Sequence, residues 1–396
     1  MASGSLPHIM RPEYFSRDLL LFIEGLDLSD EQQVICEMVF EDYERSFNEG
    51  VDNMKQQVES VADAVQQHGD DKDAIVAAVL MPIEGWARQR DVLGHQLVEN
   101  IRVILDQDQQ RAWTAFNRRL DREKQLPQGT LSGESTNLQH VMRDMALSPA
   151  EGSPASEAML RWELALHEQL IARTAASGEG LRILDQIRSG SATTEDINRR
   201  RRELAARVEV RDVTDTSIEE IAALLGDQGS AFREKALMIG YGRIYRPSAV
   251  ARLFDNAMKS DKVTSDPALL NAVRELYGQY RDELGELQEE LLRVTRIWEP
   301  ELESAKIENR ARQVEGLSRL RPEDPTRELH AERRTLDHRY AQMLRDLLGD
   351  DIFSSLDGAT RFIPRSRPQD PGEGLRGDPK GNGRLSPTGT GSQRSG

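Results

Sequence analysis

The clearest pattern in the chain is a run of apolar residues at steps of four and three. Tyr43, Phe47, Val51, Met54, Val58, Val61 and Val65 follow one another in this way, with polar residues between them. That spacing places them on one stripe of a helix, as in amphipathic and coiled-coil helices. The start is marked by Ser29 with Gln32 three residues on, a capping box, and by Asp30 and Glu31 where the helix dipole favours negative charge. Gly69-Asp70-Asp71 marks the stop. A helix of about 39 residues spans roughly 58 Å and needs an equally long partner.

The pattern supplies one. Before the long helix, Tyr14 to Glu24 reads as a short helix with Leu19, Leu20, Phe22 and Ile23, ended by Gly25. After it, a second helical stretch begins near Asp73, and Pro82 predicts a break or kink, because proline lacks a donor and clashes with the preceding turn. Trp86 to Leu105 then returns along the first helix, with Val92, Leu93, Leu97, Ile101 and Ile104 facing it. Asp106 with Gln109 caps a further helix carrying Trp113 and Phe116, and residues 126–135 read as a loop.

The same plan recurs. At an offset of 119, Leu28-Ser29 falls on Leu147-Ser148, Tyr43 on Trp162, Phe47 on Leu166 and Val51 on Leu170. Ser148-Pro149 with Glu151 reads as the second helix start. At the far end Ile104-Leu105 corresponds to Leu224-Leu225, an offset of 120. A third copy aligns Ile9-Met10-Arg11-Pro12 with Ile244-Tyr245-Arg246-Pro247 and Tyr43 with Tyr280. It continues through Leu284, Leu287, Leu291, Val294 and Trp298, with Leu347-Leu348 at its end and His338 on His95. These anchors predict an elongated all-α array of three antiparallel helical-hairpin repeats, over residues 9–127, 136–240 and 244–357. Residues 361–396, rich in Gly, Pro and Ser and almost without apolar side chains, predict a disordered tail.

Composition agrees with long helices. Charged residues make up 30% and aromatics 5%, and no sustained alternating β-branched run suggests a sheet. The net charge of -16 argues against general nucleic-acid binding, which needs cationic surface for phosphates. From Arg361 onwards seven Lys/Arg face three Asp/Glu, a local +4 that leaves -20 on the preceding body. No apolar run is long enough to cross a membrane. The N-terminal MASGSLPHIMRPEYF has no apolar signal core, which points to the cytoplasm unless the natural chain has lost a leader. Cys36 is the one cysteine, so no intrachain disulfide forms; beside Glu37 and Glu41 it reads as a small core hydrophobe rather than a reactive thiol.

The motifs of known chemistries are largely missing. Gly372 and Gly377 have phosphate-loop spacing, but Asp378 stands where the lysine belongs. Gly240-Tyr241-Gly242 lacks the third glycine of a dinucleotide loop, and there is no Gly-x-Ser-x-Gly elbow. A di-iron bundle needs Glu-x-x-His; the residues three before the seven histidines are Ser5, Val65, Val92, Asn137, Leu164, Arg327 and Thr335. Glu163 and His167, one turn apart, form a chance-level metal pair, and His330 and His338 read as surface histidines. Arg199 to Arg202 reads as a solvated helix face paired with Glu195 and Glu203, with a phosphate or acidic partner as the sharper alternative. Tyr241 to Pro247 mixes aromatics with arginines as a binding loop does, yet its match to Ile9–Pro12 favours a structural connector. No catalytic, cofactor-binding or metal residue is therefore assigned, and no cofactor is expected.

Leu28-Ser29-Asp30-Glu31-Gln32 resembles the LTxxQ motif of the Spy/CpxP-like periplasmic helical proteins, in which the motif opens a long helix after a short one. Leu105-Asp106-Gln107-Asp108-Gln109 sits where that family carries its second copy, with Asp106 in place of the hydroxyl residue. The resemblance spans roughly residues 13–120; Leu147, Leu225 and Leu348 lack the glutamine. It implies an envelope-stress or chaperone-like role with a concave helical surface. Two functional expectations follow. The first is a non-enzymatic scaffold or protein-interaction protein whose partner is another protein, not nucleic acid or membrane, with its oligomeric state open. The second is a chaperone-like or metal-responsive stress protein of the LTxxQ group.

Three substitutions test the stripe. Tyr43→Ala is expected to destabilise the fold by about 3 kcal/mol as a buried aromatic truncation. Ser29→Ala is expected to cost about 1 kcal/mol as a lost cap. Gln56→Ala, off the stripe, is expected to change stability by less than roughly 0.5 kcal/mol. Equilibrium denaturation ranks them; a Tyr43→Ala as harmless as Gln56→Ala would place Tyr43 on the surface.

Overall fold

The structure, a computed structural model, describes residues 10–68, 72–177 and 194–362. Among these the fold is all-α, with no strand. The expectations for the tail beyond residue 362, for Ile9 and for the stop at Gly69 to Asp71 lie outside the described residues, as does the Val65 side chain.

The first helices are α1 (Ser16–Gly25), α2 (Asp30–His68), α3 (Lys72–Val103) and α4 (Gln107–Gln125). The cap at Ser29 forms as its residue types require. Its hydroxyl accepts from the Gln32 N–H at 3.3 Å, and the Gln32 side chain accepts from the Ser29 N–H at 2.9 Å. The stripe of α2 faces α3: Phe47, Val51 and Met54 bury against Leu80, Ile83, Trp86 and Ala87. A second cluster joins Tyr14, Phe22, Leu26, Cys36, Phe40 and Tyr43 to Leu97 and Ile101 of α3 and to Trp113, Phe116 and Leu120 of α4. Gln56 is exposed.

Two expectations for α3 are corrected. Val92 is 53% exposed. Leu97 and Ile101 hold the inner face; Val92, one position from Leu93, is turned about 100° away from it. Of the break or kink expected at Pro82, the break does not occur: the helix runs through it. Proline forfeits one backbone hydrogen bond, and the packing of Leu80, Ile83, Trp86 and Ala87 against α2 on either side holds the axis together.

The next helices are α5 (Leu138–Asp144), α6 (Pro154–Ser177), α7 (Thr194–Leu224) and α8 (Gly229–Gly240). Trp162, Leu166 and Leu170 of α6 are each 1% exposed and pack against Val210, Ile218 and Ile221 of α7. The expected start at Ser148 is wrong: the helix begins at Pro154, with the Ser153 hydroxyl accepting from the Ser156 N–H at 3.3 Å. Gly152, at φ 73, turns the chain out of any helix begun at Pro149, and Ser153-Pro154 supplies the cap and the proline instead.

Six helices follow: α9 (Gly242–Tyr245), α10 (Ala249–Lys259), α11 (Asp261–Thr264), α12 (Pro267–Val314), α13 (Thr326–Leu348) and α14 (Asp350–Ser354). Asp266 caps α12 by accepting from Ala268 and Leu269. Tyr280, Leu284, Leu287 and Leu291 of α12 share a core with Phe254 of α10 and with Leu336, Tyr340 and Leu344 of α13.

Local geometries recur at the offsets read from the sequence. Helix α1 ends in a six-residue C-terminal turn, with Leu28 N–H donating to Ile23 O at 3.1 Å and Asp27 at φ 49. Helix α5 ends in the same turn, Leu147 to Met142 at 2.8 Å and Ala146 at φ 53, every position shifted by 119. The hydroxyl of Tyr43 accepts from the N–H groups of Glu13 (3.0 Å) and Tyr14 (3.2 Å), just after Arg11-Pro12. That of Tyr280 bonds Ser248 Oγ at 2.8 Å, just after Arg246-Pro247.

Two glycines make the packing of α2 on α3 testable. A Cβ at Gly50 would fall 2.0 Å from the Trp86 ring, whereas one at Gly85 meets nothing within 4 Å. Gly50→Ala is expected to destabilise by about 1–3 kcal/mol through overpacking, despite better helix propensity. Gly85→Ala is expected to stabilise by roughly 1 kcal/mol. Opposite shifts in the urea midpoint are the signature; two shifts of the same sign would contradict the contact.

Candidate functional site

Three polar assemblies tie the helices together, the first at the ends of the segments 28–32 and 105–109. Asp106 caps α4 as expected, accepting from Asp108 (2.8 Å) and Gln109 (2.9 Å), while Gln109 Oε1 accepts from the Asp106 N–H at 2.9 Å. The two capping boxes then meet. Gln32 Nε2 donates to Gln109 Oε1 at 2.8 Å, and Gln109 Nε2 donates to Gln32 Oε1 at 2.9 Å. The remaining amide protons go to the carbonyls of Ile104 (2.8 Å) and Asp27 (3.1 Å). Both amides are thus fully used, and they clasp the starts of α2 and α4 together.

The second assembly lies in the connector between α4 and α5. Glu134 has no exposed surface. Its Oε2 accepts from the N–H groups of Thr130 (2.7 Å) and Leu131 (3.1 Å); its Oε1 accepts from Arg173 of α6 (2.6 Å) and Arg207 of α7 (3.0 Å). Arg173 also donates to the Gln125 carbonyl, and Arg207 to Gln128 O (3.1 Å) and Glu203 (2.9 Å). Burial weakens the proton affinity of the Arg173 guanidinium, and the Glu134 carboxylate restores part of it. The same connector reaches α12 through Ser132, whose N–H and hydroxyl donate to Glu299 at 2.8 and 2.7 Å.

Beside it, Asp215 of α7 accepts from the Tyr241 hydroxyl (2.5 Å) and from Arg296 Nε of α12 (2.7 Å). Burial raises the Asp215 carboxyl, against the opposing pull of Arg296, and raises the Tyr241 phenol. Arg296 also lines a surface cleft with Glu289, Arg293 and Ile297. These groups join helices to one another.

The residues singled out in the sequence are placed as follows. Glu163 takes Arg118 at 3.2 Å and Arg122 at 3.5 Å, while His167 faces Asp121 at 3.4 Å, so the two turn to different partners on α4. His330 and His338 are not brought together on a common group; the His338 ring lies 5.8 Å from Phe362. In the arginine run, Arg199 pairs with Asp196 rather than Glu195, Arg201 reaches Glu308 of α12, and Glu203 is held by Arg207. Tyr241 and Ile244 are buried, and Tyr245 donates to Glu289. Cys36 is fully buried, and burial lifts its thiol to about 11. Glu134, Arg173 and Asp215 escaped the sequence reading. Arg173 carried a signal: at offset 119 it occupies the place of Met54, a charge on an apolar stripe.

Comparison of the chain with protein-family profiles, with curated proteins and with solved structures finds no match.

Removing one member of a buried charge cluster leaves the others uncompensated. Glu134→Ala is therefore expected to destabilise by about 3–5 kcal/mol. The double variant Glu134→Leu/Arg173→Leu is expected to fall short of the sum of its singles by about 1–3 kcal/mol. Urea unfolding of the four proteins in that cycle decides it; additive effects would mean that Glu134 and Arg173 act independently.

Proposed function

We propose that this chain is a non-enzymatic helical scaffold that binds another protein through the outer faces of its long helices. The observation that carries the reading is on α6. Leu160, Leu164 and Ile171, at helical spacing on one face, are 51, 43 and 54% exposed. They lie away from the face that buries Trp162, Leu166 and Leu170. Apolar side chains aligned on a solvated helix favour contact with a partner surface over isolated exposure. The outer side of α2 carries Val34, Ile35 and Met38 in the same state. On this reading the three successive helical sets are divergent copies of one unit. The recurring turn at offset 119 and the matching hydroxyl contacts of Tyr43 and Tyr280 support that view. Protein is the expected partner; among the described residues no helix is long and apolar enough to cross a membrane.

A second reading, a chaperone-like or metal-responsive protein related to the LTxxQ group, is favoured by one observation. The glutamines of the two motif-like segments bond each other and tie the two helix starts together.

Two measurements separate the readings. With the intact chain as bait, a stoichiometric partner is expected, and Leu164→Glu with Ile171→Glu is expected to lose it while the helical spectrum stays unchanged. In a holdase assay with an unfolding client at near-equimolar ratio, no suppression of aggregation is expected. Suppression without a stoichiometric partner would replace the scaffold with the chaperone reading.

A further inference from the structure

The cleft between α4, α5 and α6 is cationic in a chain that is otherwise strongly acidic. It encloses about 420 Å³, and Arg119, Arg122, Arg143 and His140 line it together with Glu123 and Glu163. The two carboxylates are already engaged. Glu163 is held by Arg118 and Arg122, and Glu123 accepts from Asn137 at 3.0 Å and lies 2.9 Å from His140. Arg119 and Arg143 have no hydrogen bond or ion pair among the described residues. Arg122 is the more telling group. Its side chain is 6% exposed, yet Nε and Nη1 make no hydrogen bond, and the nearest carboxylate oxygen is 3.5 Å from Nη1. Its guanidinium carbon sits 5.8 Å from the Trp162 ring centroid. Burial weakens the proton affinity of this guanidinium, and Glu163 and Glu123 restore only part of it, so further negative charge placed beside it is favoured. Phe116, Ala112 and Ala115 give the cleft an apolar side, and Gln139 adds an amide to its lining. Gly25 keeps it open: a Cβ there would press the Phe116 ring at 2.7 Å and lie 3.4 Å from Arg119 Nη1.

We infer that this cleft is a binding site for a small ligand bearing an oxyanion, a carboxylate or a phosphate, next to an apolar surface. Arg119 and Arg143 hold the oxyanion through paired N–H donors, the arrangement that suits planar carboxylates and phosphates. Arg122 supplies charge from the floor, and Phe116 packs against the apolar part. The inference stands independently of the scaffold reading, because it concerns a concave polar site and not the outer helix faces.

Isothermal titration of the full chain with inorganic phosphate and with citrate tests it, with thermal unfolding in parallel and sodium chloride at equal ionic strength as reference. Saturable binding of at least one oxyanion is expected, with a rise in unfolding midpoint beyond that in chloride. Phosphate alone points to a phosphorylated ligand and citrate alone to a carboxylate ligand; binding of both supports the shared oxyanion chemistry. The double variant Arg119→Gln/Arg143→Gln is expected to lose at least tenfold in affinity with its midpoint in chloride preserved. Arg111→Gln, on α4 but outside the cleft, is expected to bind as the parent does. Equal shifts in all three salts, or a double variant that binds as tightly as the parent, would overturn the inference.

Discussion

A carboxylate with no water contact stands where the chain passes from its first set of helices to its second. Two arginines and two backbone N–H groups surround Glu134 and satisfy both of its oxygens. The requirement is demanding in sequence terms, since the arginines come from α6 and α7 and the amides from the connector itself. The connector, α6 and α7 are therefore fixed relative to one another by charge compensation rather than by apolar fit alone. Ser132 extends the constraint to α12 through Glu299, and Gly133 donates to the Gly240 carbonyl at the end of α8. Gly133 is suited to that place: at φ 85, with the Tyr241 hydroxyl 2.6 Å from where a Cβ would stand, no other residue fits without displacement.

Much of this architecture was legible from spacing. The stripe of α2, both capping boxes and the burial of Tyr43, Trp162 and Tyr280 follow from helical periodicity and cap chemistry, which are local rules. The failures are those of local rules meeting tertiary context. Pro82 reads as a break or kink, and the helix runs through without the break, its neighbours packed on both sides. Ser148-Pro149 reads as a start, but Gly152 spoils it three residues later. Val92 is apolar, and apolarity alone does not say which side of a long helix a residue occupies.

The polar sites were harder to read, for a related reason. The Glu134 cluster joins residues 39 and 73 positions apart, and no short motif records such a pairing. Only the charge at Arg173, on a stripe otherwise apolar, marked it in advance. The arginine cleft is less legible still. Its members come from three helices, and Arg199 to Arg202, a far more conspicuous run, lies elsewhere and pairs largely with neighbouring acids and α12. Cationic character in three dimensions and in sequence are different quantities here.

The notch at Gly50 has a mechanical consequence. The Trp86 ring occupies the space a side chain would fill, and Phe47 packs edge-on against the same ring at 5.1 Å. Sliding α2 by one turn, about 5.4 Å, would carry a bulky residue into that notch. The indole therefore acts as a shear pin between two long rods. A load applied along the packed helix pair is borne at this point, and the pair resists gradual creep until the local packing gives way.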